Sequence, residues 1–306
     1  MKPTKAAVLA TAAISSFVLI AGCSRESAPA VPTNEQIDDS IVYMEMTSTG
    51  WVYYPSTTGW KWTSESVDVF SSCTGWFAGA SGEIMTAGHC VDPESDTKRE
   101  SLIRAVGKEN GWNAADVSKC LDECSVGGEE SGSPPDLRVQ VNQPDIDGRV
   151  ISEWRDVQVA DMVPAEDGDL ALLRANGLNK ETPFLGVATE APKSGEAVTA
   201  IGFPGVVDAA DGSKTDALSN PSFKTGTVSS SQVGQNGVAT LEINADVSSG
   251  MSGGPTINDQ GEVIGVNSRK ALRSSTGGSV EGNAFNFVTD TADLNRFLQK
   301  NGVTEK

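Results

Sequence analysis

Gly250-Met251-Ser252-Gly253-Gly254-Pro255 is the stretch from which the rest of the chain can be read. A serine set among glycines needs a backbone that turns tightly. Such a turn leaves the Ser252 hydroxyl exposed and aims neighbouring N–H groups into one small space. The N–H groups of Gly250 and Ser252 are then candidates to hold the oxyanion that forms when a carbonyl is attacked. A serine hydroxyl is a weak nucleophile until a base removes its proton, so the chain must also supply a base and a group that orients the base. The chain has one histidine, His89, in Thr86-Ala87-Gly88-His89-Cys90, directly after the apolar run Glu83-Ile84-Met85-Thr86. The orienting carboxylate is best placed at Asp169, where Asp169-Leu170-Ala171-Leu172-Leu173 opens an apolar strand on a single acid. Asp167 and Asp161 are weaker rivals because they lie outside that apolar stretch.

The three motifs occur in the order His89, Asp169, Ser252. In that order they resemble the trypsin-like (chymotrypsin-fold) serine proteases. The serine motif also fits Gly-x-Ser-x-Gly of the α/β-hydrolases, but those carry their histidine after the serine, and none follows Ser252 here. The resemblance implies an all-β fold of two packed six-stranded antiparallel β-barrels with a short C-terminal helix. It implies a serine endopeptidase working through a Ser-His-Asp triad and an acyl-enzyme, with no cofactor and no metal, acting on a protein or peptide. The family carries a bridge where Cys73 and Cys90 stand, which would hold the histidine turn against the strand at Thr74–Ala78. It also points to Asp246, six residues before the serine, as the floor of a substrate-binding pocket that selects Arg or Lys, with walls from Val266 to Arg269. The rival reading of Asp246 is a loop aspartate capping a turn. In digestive members of the family an aspartate just before the serine binds a freshly cut N-terminus; here that position is Met251, so activation by that route is not expected. The alternative to an enzyme is a non-catalytic binding or adhesion lipoprotein on the same fold. An esterase is a third possibility.

The chain opens with Lys2 and Lys5 followed by a nearly unbroken run of apolar and small residues from Ala6 to Ala21, the form of a secretory signal. Its end, Leu19-Ile20-Ala21-Gly22-Cys23, looks like a bacterial lipobox, which implies cleavage before Cys23 and lipidation of that cysteine. The expected organisation is a signal peptide over residues 1–22, a flexible tether over 23–39, a protease domain over 40–301 and a tail over 302–306. The protein is thus expected outside the cytoplasm, held through its lipid at the cell membrane or the periplasmic face of the outer membrane. The oligomeric state is not legible. The net charge of −18 argues against nucleic acid or anionic lipid as partners.

Five cysteines become four once Cys23 is lipidated. Cys120 and Cys124 could close a very local bridge, and free thiols or a metal pair are the alternatives; with no second histidine a zinc site is disfavoured. From Ser40 onward, short runs rich in β-formers alternate with Gly, Pro, Asn and Asp. They include 41–44, 52–54, 67–70, 102–106, 137–141, 157–159, 197–201, 224–228, 239–243, 263–266 and 284–288. Thr291–Lys300 is expected to be helical, capped by Thr289 or Asp290 and ended by Gly302. Lys108–Asp136 and Asp208–Pro221 are expected to be surface loops.

Overall fold

The computed structural model describes residues 31–129, 132–205, 218–234, 237–271 and 285–303, and of residues 269–271 and 285 the backbone alone. The expected signal segment, Cys23 and most of the stretch Asp208–Pro221 lie outside the described residues. Helix α1 (Asn34–Asp38) opens the folded unit, with Thr33 and Gln36 forming a reciprocal cap. Its Ile37 is 3% exposed and belongs to the main core. The folded part therefore begins ahead of Ser40, because an apolar residue in the expected tether is taken up by the core.

Strand β1 (Ile41–Ser56) buries every second side chain from Val42 to Tyr54, the period of a pleated strand. It merges the two separate runs expected at 41–44 and 52–54. One of its edges pairs antiparallel with β3 (Val67–Phe77), from Ile41 opposite Trp76 to Gly50 opposite Val67. Its last residues pair with β2 (Gly59–Trp62). The chain continues through β4 (Glu83–Thr86), the single turn α2 (Gly88–Val91), α3 (Asp96–Glu109), α4 (Ala114–Glu123), β5 (Ser125–Gly127), β6 (Asp136–Asn142), β7 (Arg155–Asp156), β8 (Gln158–Val163) and β9 (Leu170–Arg174). These strands form one sheet in the order β7-β6-β1-β3-β4-β9-β8, with β2 and β5 added on β1.

The second half holds β10 (Ala197–Gly202), β11 (Ser222–Val233), β12 (Ala239–Ile243), β13 (Pro255–Ile257), β14 (Val263–Ala271) and β15 (Phe285–Thr289). They close into a six-stranded barrel in the order β10-β11-β12-β15-β14-β13. Of the two barrels expected, this one is closed. The other is a curled nine-stranded half-barrel: among the described residues no ladder joins β7 to β8. β7 is two residues long and already pairs with β6, so it offers little edge for closure.

The main core runs across both halves. Trp76, Phe77, Ile84 and Leu172 come from the sheet and Ile201, Phe203 and Val266 from the barrel side. Leu294, Phe297 and Leu298 of the last helix, α5 (Thr291–Lys300), complete it. Each such buried side chain contributes about 1.5–3 kcal/mol of transfer free energy. Helix α5 starts at Asp290, whose carboxylate accepts from the N–H groups of Ala292 and Asp293. It ends at Gly302, φ +70°, with Val303 N–H bonded to the Leu298 carbonyl at 3.0 Å. This is the glycine-ended cap that satisfies the last carbonyls. Val303 itself is 9% exposed and joins the core, so the tail begins after it. Among the described residues no helix is long and apolar enough to cross a membrane.

Two sequence expectations fail in one region. Residues 102–106 are not a strand but part of α3: Leu102, Ile103 and Val106 are fully buried and Arg104 is exposed, a helical spacing. A run of five residues is too short to reveal that period by itself. Lys108–Asp136 is not a plain loop, since it contains α4 and β5. Helix α4 turns a narrow apolar face, Cys120 and Leu121 with Cys124 at its end, toward Leu102, Ile103 and Val106 of α3, and further bonds hold it. Asn113 and Asp116 form a capping box, and Arg99 of α3 donates to the carbonyls of Leu121 and Cys124 at 2.7 and 2.8 Å. A disulfide joins Cys120 to Cys124 at its end. A second disulfide joins Cys73 to Cys90 across 17 residues.

The two bridges close loops of very different length, and the loop entropy removed from the unfolded chain scales accordingly. Replacing Cys73 and Cys90 together by serine is expected to cost about 3 kcal/mol, and replacing Cys120 and Cys124 about 2 kcal/mol. Urea denaturation of the two double variants checks this; a larger loss from the shorter bridge would contradict it.

Candidate active site

Strand pairing brings the histidine to the acid. β4 runs directly into α2, which carries His89, and β4 pairs with β9, which follows Asp169; Thr86 lies opposite Ala171. His89 Nδ1 is 2.9 Å from Asp169 Oδ2 and 3.0 Å from Oδ1. The His89 backbone N–H donates to Oδ1 of the same carboxylate at 2.8 Å. The Ser268 hydroxyl, on β14, donates to Oδ2. Asp169 is 3% exposed and stands at φ +56°, the one described non-glycine residue in the left-handed region. Aspartate tolerates that conformation better than most residues, at some cost in strain. Burial pushes the Asp169 carboxyl up. The His89 ring hydrogen bond and charge, the Ser268 hydroxyl and the His89 N–H outweigh it and hold the carboxyl below its ordinary value. The rivals go elsewhere: Asp161 is held by Lys300 at 2.7 Å and Asn301 at 2.9 Å, and Asp167 lies in a single helical turn before the strand.

Ser252 sits just before β13, in a turn whose glycines have a reason. Gly250 (φ +89°) and Gly253 (φ +86°) both occupy the left-handed region. A Cβ on Gly250 would strike the Phe203 carbonyl oxygen, and one on Gly253 would strike Thr86 Oγ1 and the Thr74 carbonyl. The turn is fastened to the first sheet by Thr74 of β3, which is fully buried. Thr74 N–H donates to the Ser252 carbonyl at 2.8 Å. Its hydroxyl donates to the Gly250 carbonyl at 2.8 Å and accepts from Phe203 N–H at 2.9 Å. Gly205 N–H donates to the Ser249 carbonyl at 2.8 Å, which fixes the Ser249–Gly250 peptide. Met251 and Gly253 spend their N–H groups on Ser248 and Asn267. Those of Gly250 and Ser252 have no hydrogen-bond acceptor among the described residues, which leaves both as candidate donors to an oxyanion.

The hydroxyl of Ser252 donates to the Ser268 carbonyl at 3.4 Å rather than to His89. Ser252 and His89 nevertheless line one cavity of about 380 Å³. It opens beside the Cys73–Cys90 bridge, with Met46, Val69 and Phe70 on one side, Thr97, Lys98 and Ser101 of α3 on another, and Ser249 and Gly250 beneath. Asp246 does not reach this cavity. It is exposed between the buried Ala245 and Val247, because the alternation after β12 turns it outward. The expected pocket walls Val266 and Asn267 are fully buried in β14, where Asn267 donates to the carbonyls of Ile201 and Met251. The side chain of Arg269 lies outside the described residues. Cys73, His89 and Cys90 bring possible metal-ligand atoms within 4.8 Å of one another, but the two sulfurs are tied up in a disulfide.

Two residues of the site escaped the sequence reading. Ser268 looked like a pocket wall, yet its hydroxyl bonds the buried carboxylate. Lys98 lay next to a stretch misread as a strand, yet its ammonium donates to the carbonyls of His89 and Cys90 at 2.8 and 2.9 Å. Its spacing, four residues before Leu102 and so on the same face of a helix, was the available signal.

Comparison with known proteins bears on this arrangement. Residues 73–266 match the model of the trypsin-like peptidase domain, a span that includes His89, Asp169 and Ser252. A stretch of 114 residues is 33% identical to the serine protease Do-like HtrA of Lactobacillus helveticus, covering 37% of this chain and 26% of that protein. Another of 148 residues is 33% identical to the probable periplasmic serine endoprotease DegP-like of two Pseudomonas putida strains, F1 and W619, covering 45% of this chain and 26% of theirs. The chain thus matches about a quarter of the length of these curated relatives. With a family match that spans most of its length, the chain belongs to the trypsin-like peptidase domain family.

Proposed function

We propose that this protein is a serine endopeptidase in which Ser252 is the nucleophile, His89 the general base and Asp169 the residue that orients the base. What supports this most directly is the His89 imidazole bonded through Nδ1 to a buried carboxylate, with its ring and Ser252 facing the same cavity. For attack, the Ser252 side chain turns about its Cα–Cβ bond from the Ser268 carbonyl toward His89 Nε2, a change of staggered rotamer. His89 takes the hydroxyl proton as the oxygen adds to the scissile carbonyl. The N–H groups of Gly250 and Ser252 bind the oxyanion; loss of one such donor typically costs about 3–4 kcal/mol of barrier. Asp169 accepts from Nδ1–H and stabilises the imidazolium. His89 then passes the proton to the leaving amine, and water repeats the cycle on the acyl-enzyme. Its low-lying carboxyl keeps Asp169 ionised throughout.

The place of action proposed is outside the cytoplasm. The signal-like residues 1–22, the lipobox ending at Cys23 and the disulfides are consistent with export, as are the relatives named as periplasmic. Cys23 would carry the lipid, and the residues before α1 would link it to the folded unit. The substrate would be a protein or peptide. Asp246, exposed as it is, gives no support for selection of Arg or Lys, so the primary side-chain preference is left to experiment.

Fluorophosphonate labelling is expected to mark the wild-type chain and to vanish in Ser252→Ala, with peptide hydrolysis lost in parallel. Labelling and hydrolysis that survive the substitution would remove Ser252 from the mechanism, and a folded wild-type chain that neither labels nor cleaves would favour the non-catalytic alternative. Asp169→Asn keeps a side chain that tolerates φ +56° but leaves the imidazole in the wrong tautomer. Its kcat is expected to fall by about 10⁴-fold with the fold retained. A kcat within ten-fold of wild type would argue against the orienting role.

A further inference from the structure

Helix α3 carries a buried lysine that the reaction above does not use. Lys98 is 4% exposed. Its ammonium donates to the carbonyl oxygens of His89 at 2.8 Å and Cys90 at 2.9 Å, and to Ser95 Oγ at 3.4 Å. All three acceptors are uncharged, so nothing in direct contact neutralises the buried cation, an arrangement that ordinarily destabilises a fold. Its position gives the reason for keeping it. The carbonyls of His89 and Cys90 belong to the single turn α2, too short to satisfy them itself. On the other side of His89, its N–H is held by Asp169 at 2.8 Å. The peptide groups before and after the histidine are thus gripped separately, one by a carboxylate and one by an ammonium. That fixes the direction of the His89 Cα–Cβ bond, and with it where the ring points.

We propose that Lys98 is a positioning residue for His89: its ammonium clamps the backbone after the histidine so that Nε2 is presented to Ser252. The inference rests on the catalytic reading of His89 and Ser252 given above. Lys98 touches neither substrate nor reacting atoms and acts through the histidine backbone. Charge-assisted bonds to the two carbonyls are stronger than neutral ones, and a neutral amine keeps only two N–H donors for three acceptors. The clamp therefore weakens when Lys98 loses its proton.

Burial pushes the Lys98 pKa down to about 8, with the charge of Asp92 opposing the shift. The titratable groups that face it are His89 from α2 and Asp92 from the following connection. The side chains that β1 and β3 present to the cavity, Met46, Val69, Phe70 and Ser71, are uncharged, as are Ser249 and Gly250 of the serine turn. The clamp thus loosens in mild alkali. The stability effect has the opposite sign. Between about 8 in the folded chain and the ordinary lysine value of 10.5, the unfolded chain binds the proton and the folded one does not, so this group's contribution to stability rises with pH. A loss of activity in that window through Lys98 is therefore not unfolding.

The experiment is a pH series of kcat and KM on a peptide substrate, from about pH 6 to 10, for the wild type, Lys98→Met and Lys98→Arg. Melting temperatures are followed alongside, and active sites are counted by fluorophosphonate. The wild type is expected to lose kcat with a midpoint near pH 8 while its melting temperature holds. Lys98→Met is expected to show a kcat about ten-fold lower at neutral pH, KM changed less than two-fold, and no alkaline limb. Lys98→Arg, charged throughout, should recover part of that kcat and keep it past the wild-type limb. A Lys98→Met chain with wild-type kcat and an unchanged limb would overturn the proposal. If Lys98→Met does not fold, the wild-type series decides alone: an alkaline limb without loss of melting temperature supports the clamp, and no limb overturns it. The two readings fail separately: activity retained in Ser252→Ala, or a folded wild-type chain that neither labels nor cleaves, removes the triad, whereas a silent Lys98 leaves it standing.

Discussion

The site depends on two consecutive residues of β3. Cys73 is covalently joined to Cys90, the neighbour of His89. Thr74 is hydrogen-bonded through its N–H to Ser252 and through its hydroxyl to Gly250. Side chains alternate across a strand, so adjacent residues face opposite ways and can reach two different elements. One therefore holds the histidine turn of the sheet and the other the serine turn of the barrel. The Thr74 carbonyl also accepts from Thr86 Oγ1 at 2.9 Å, which ties the end of β4 to the same point. Residues far apart in the chain are thus referenced to one short length of backbone inside the shared core.

Burial sets the electrostatics of the site. Asp169 is removed from water, which disfavours its charge, and three donors restore it: the His89 ring, the His89 N–H and the Ser268 hydroxyl. Because its carboxyl stays below its ordinary value, the stabilisation it lends the fold is present above the usual carboxylate range and is lost as pH falls through the native value. Lys98 is removed from water with only uncharged acceptors in contact, and its charge is correspondingly easier to lose. The same helix carries Arg99, whose guanidinium caps the end of α4, so adjacent residues of α3 each close the end of a different helical turn. The fold places an anion at the histidine N–H and ring and a cation at its carbonyl.

The serine turn shows why local chemistry and long-range packing must agree. Gly250 and Gly253 adopt backbone angles that a Cβ resists, and the missing Cβ leaves room at Gly250 for the Phe203 carbonyl just after β10 and at Gly253 for Thr74 and Thr86 of β3 and β4. The glycines therefore serve two ends at once. They let the chain bend so that two N–H groups stay free, and they let the barrel approach the sheet closely enough for Thr74 to hold the bend.

Much of this was legible in the residues alone. The single histidine after an apolar run, the acid opening Leu170–Leu173 and the glycine-bound serine each follow from local chemistry, and their order pointed to the family. Five of the six barrel strands, all but the three-residue β13, and helix α5, with its Asp290 cap and Gly302 stop, were readable from period and capping, because those signals are local. The region 96–127 was not. There Leu102–Val106 is too short a run to show a helical period, and the narrow apolar face of α4 is supplied partly by disulfide cysteines and supplemented by Arg99 and a cap. The outward turn of Asp246, the opening of the first barrel and the contacts of Ser268 and Lys98 likewise depend on which elements become neighbours. Sequence by itself determined the identity of the candidate reactive groups, since chemistry belongs to side chains. Tertiary structure alone decided how they are aimed, since direction comes from backbone carbonyls and carboxylates meeting across the core, and no spacing along the chain encodes that meeting.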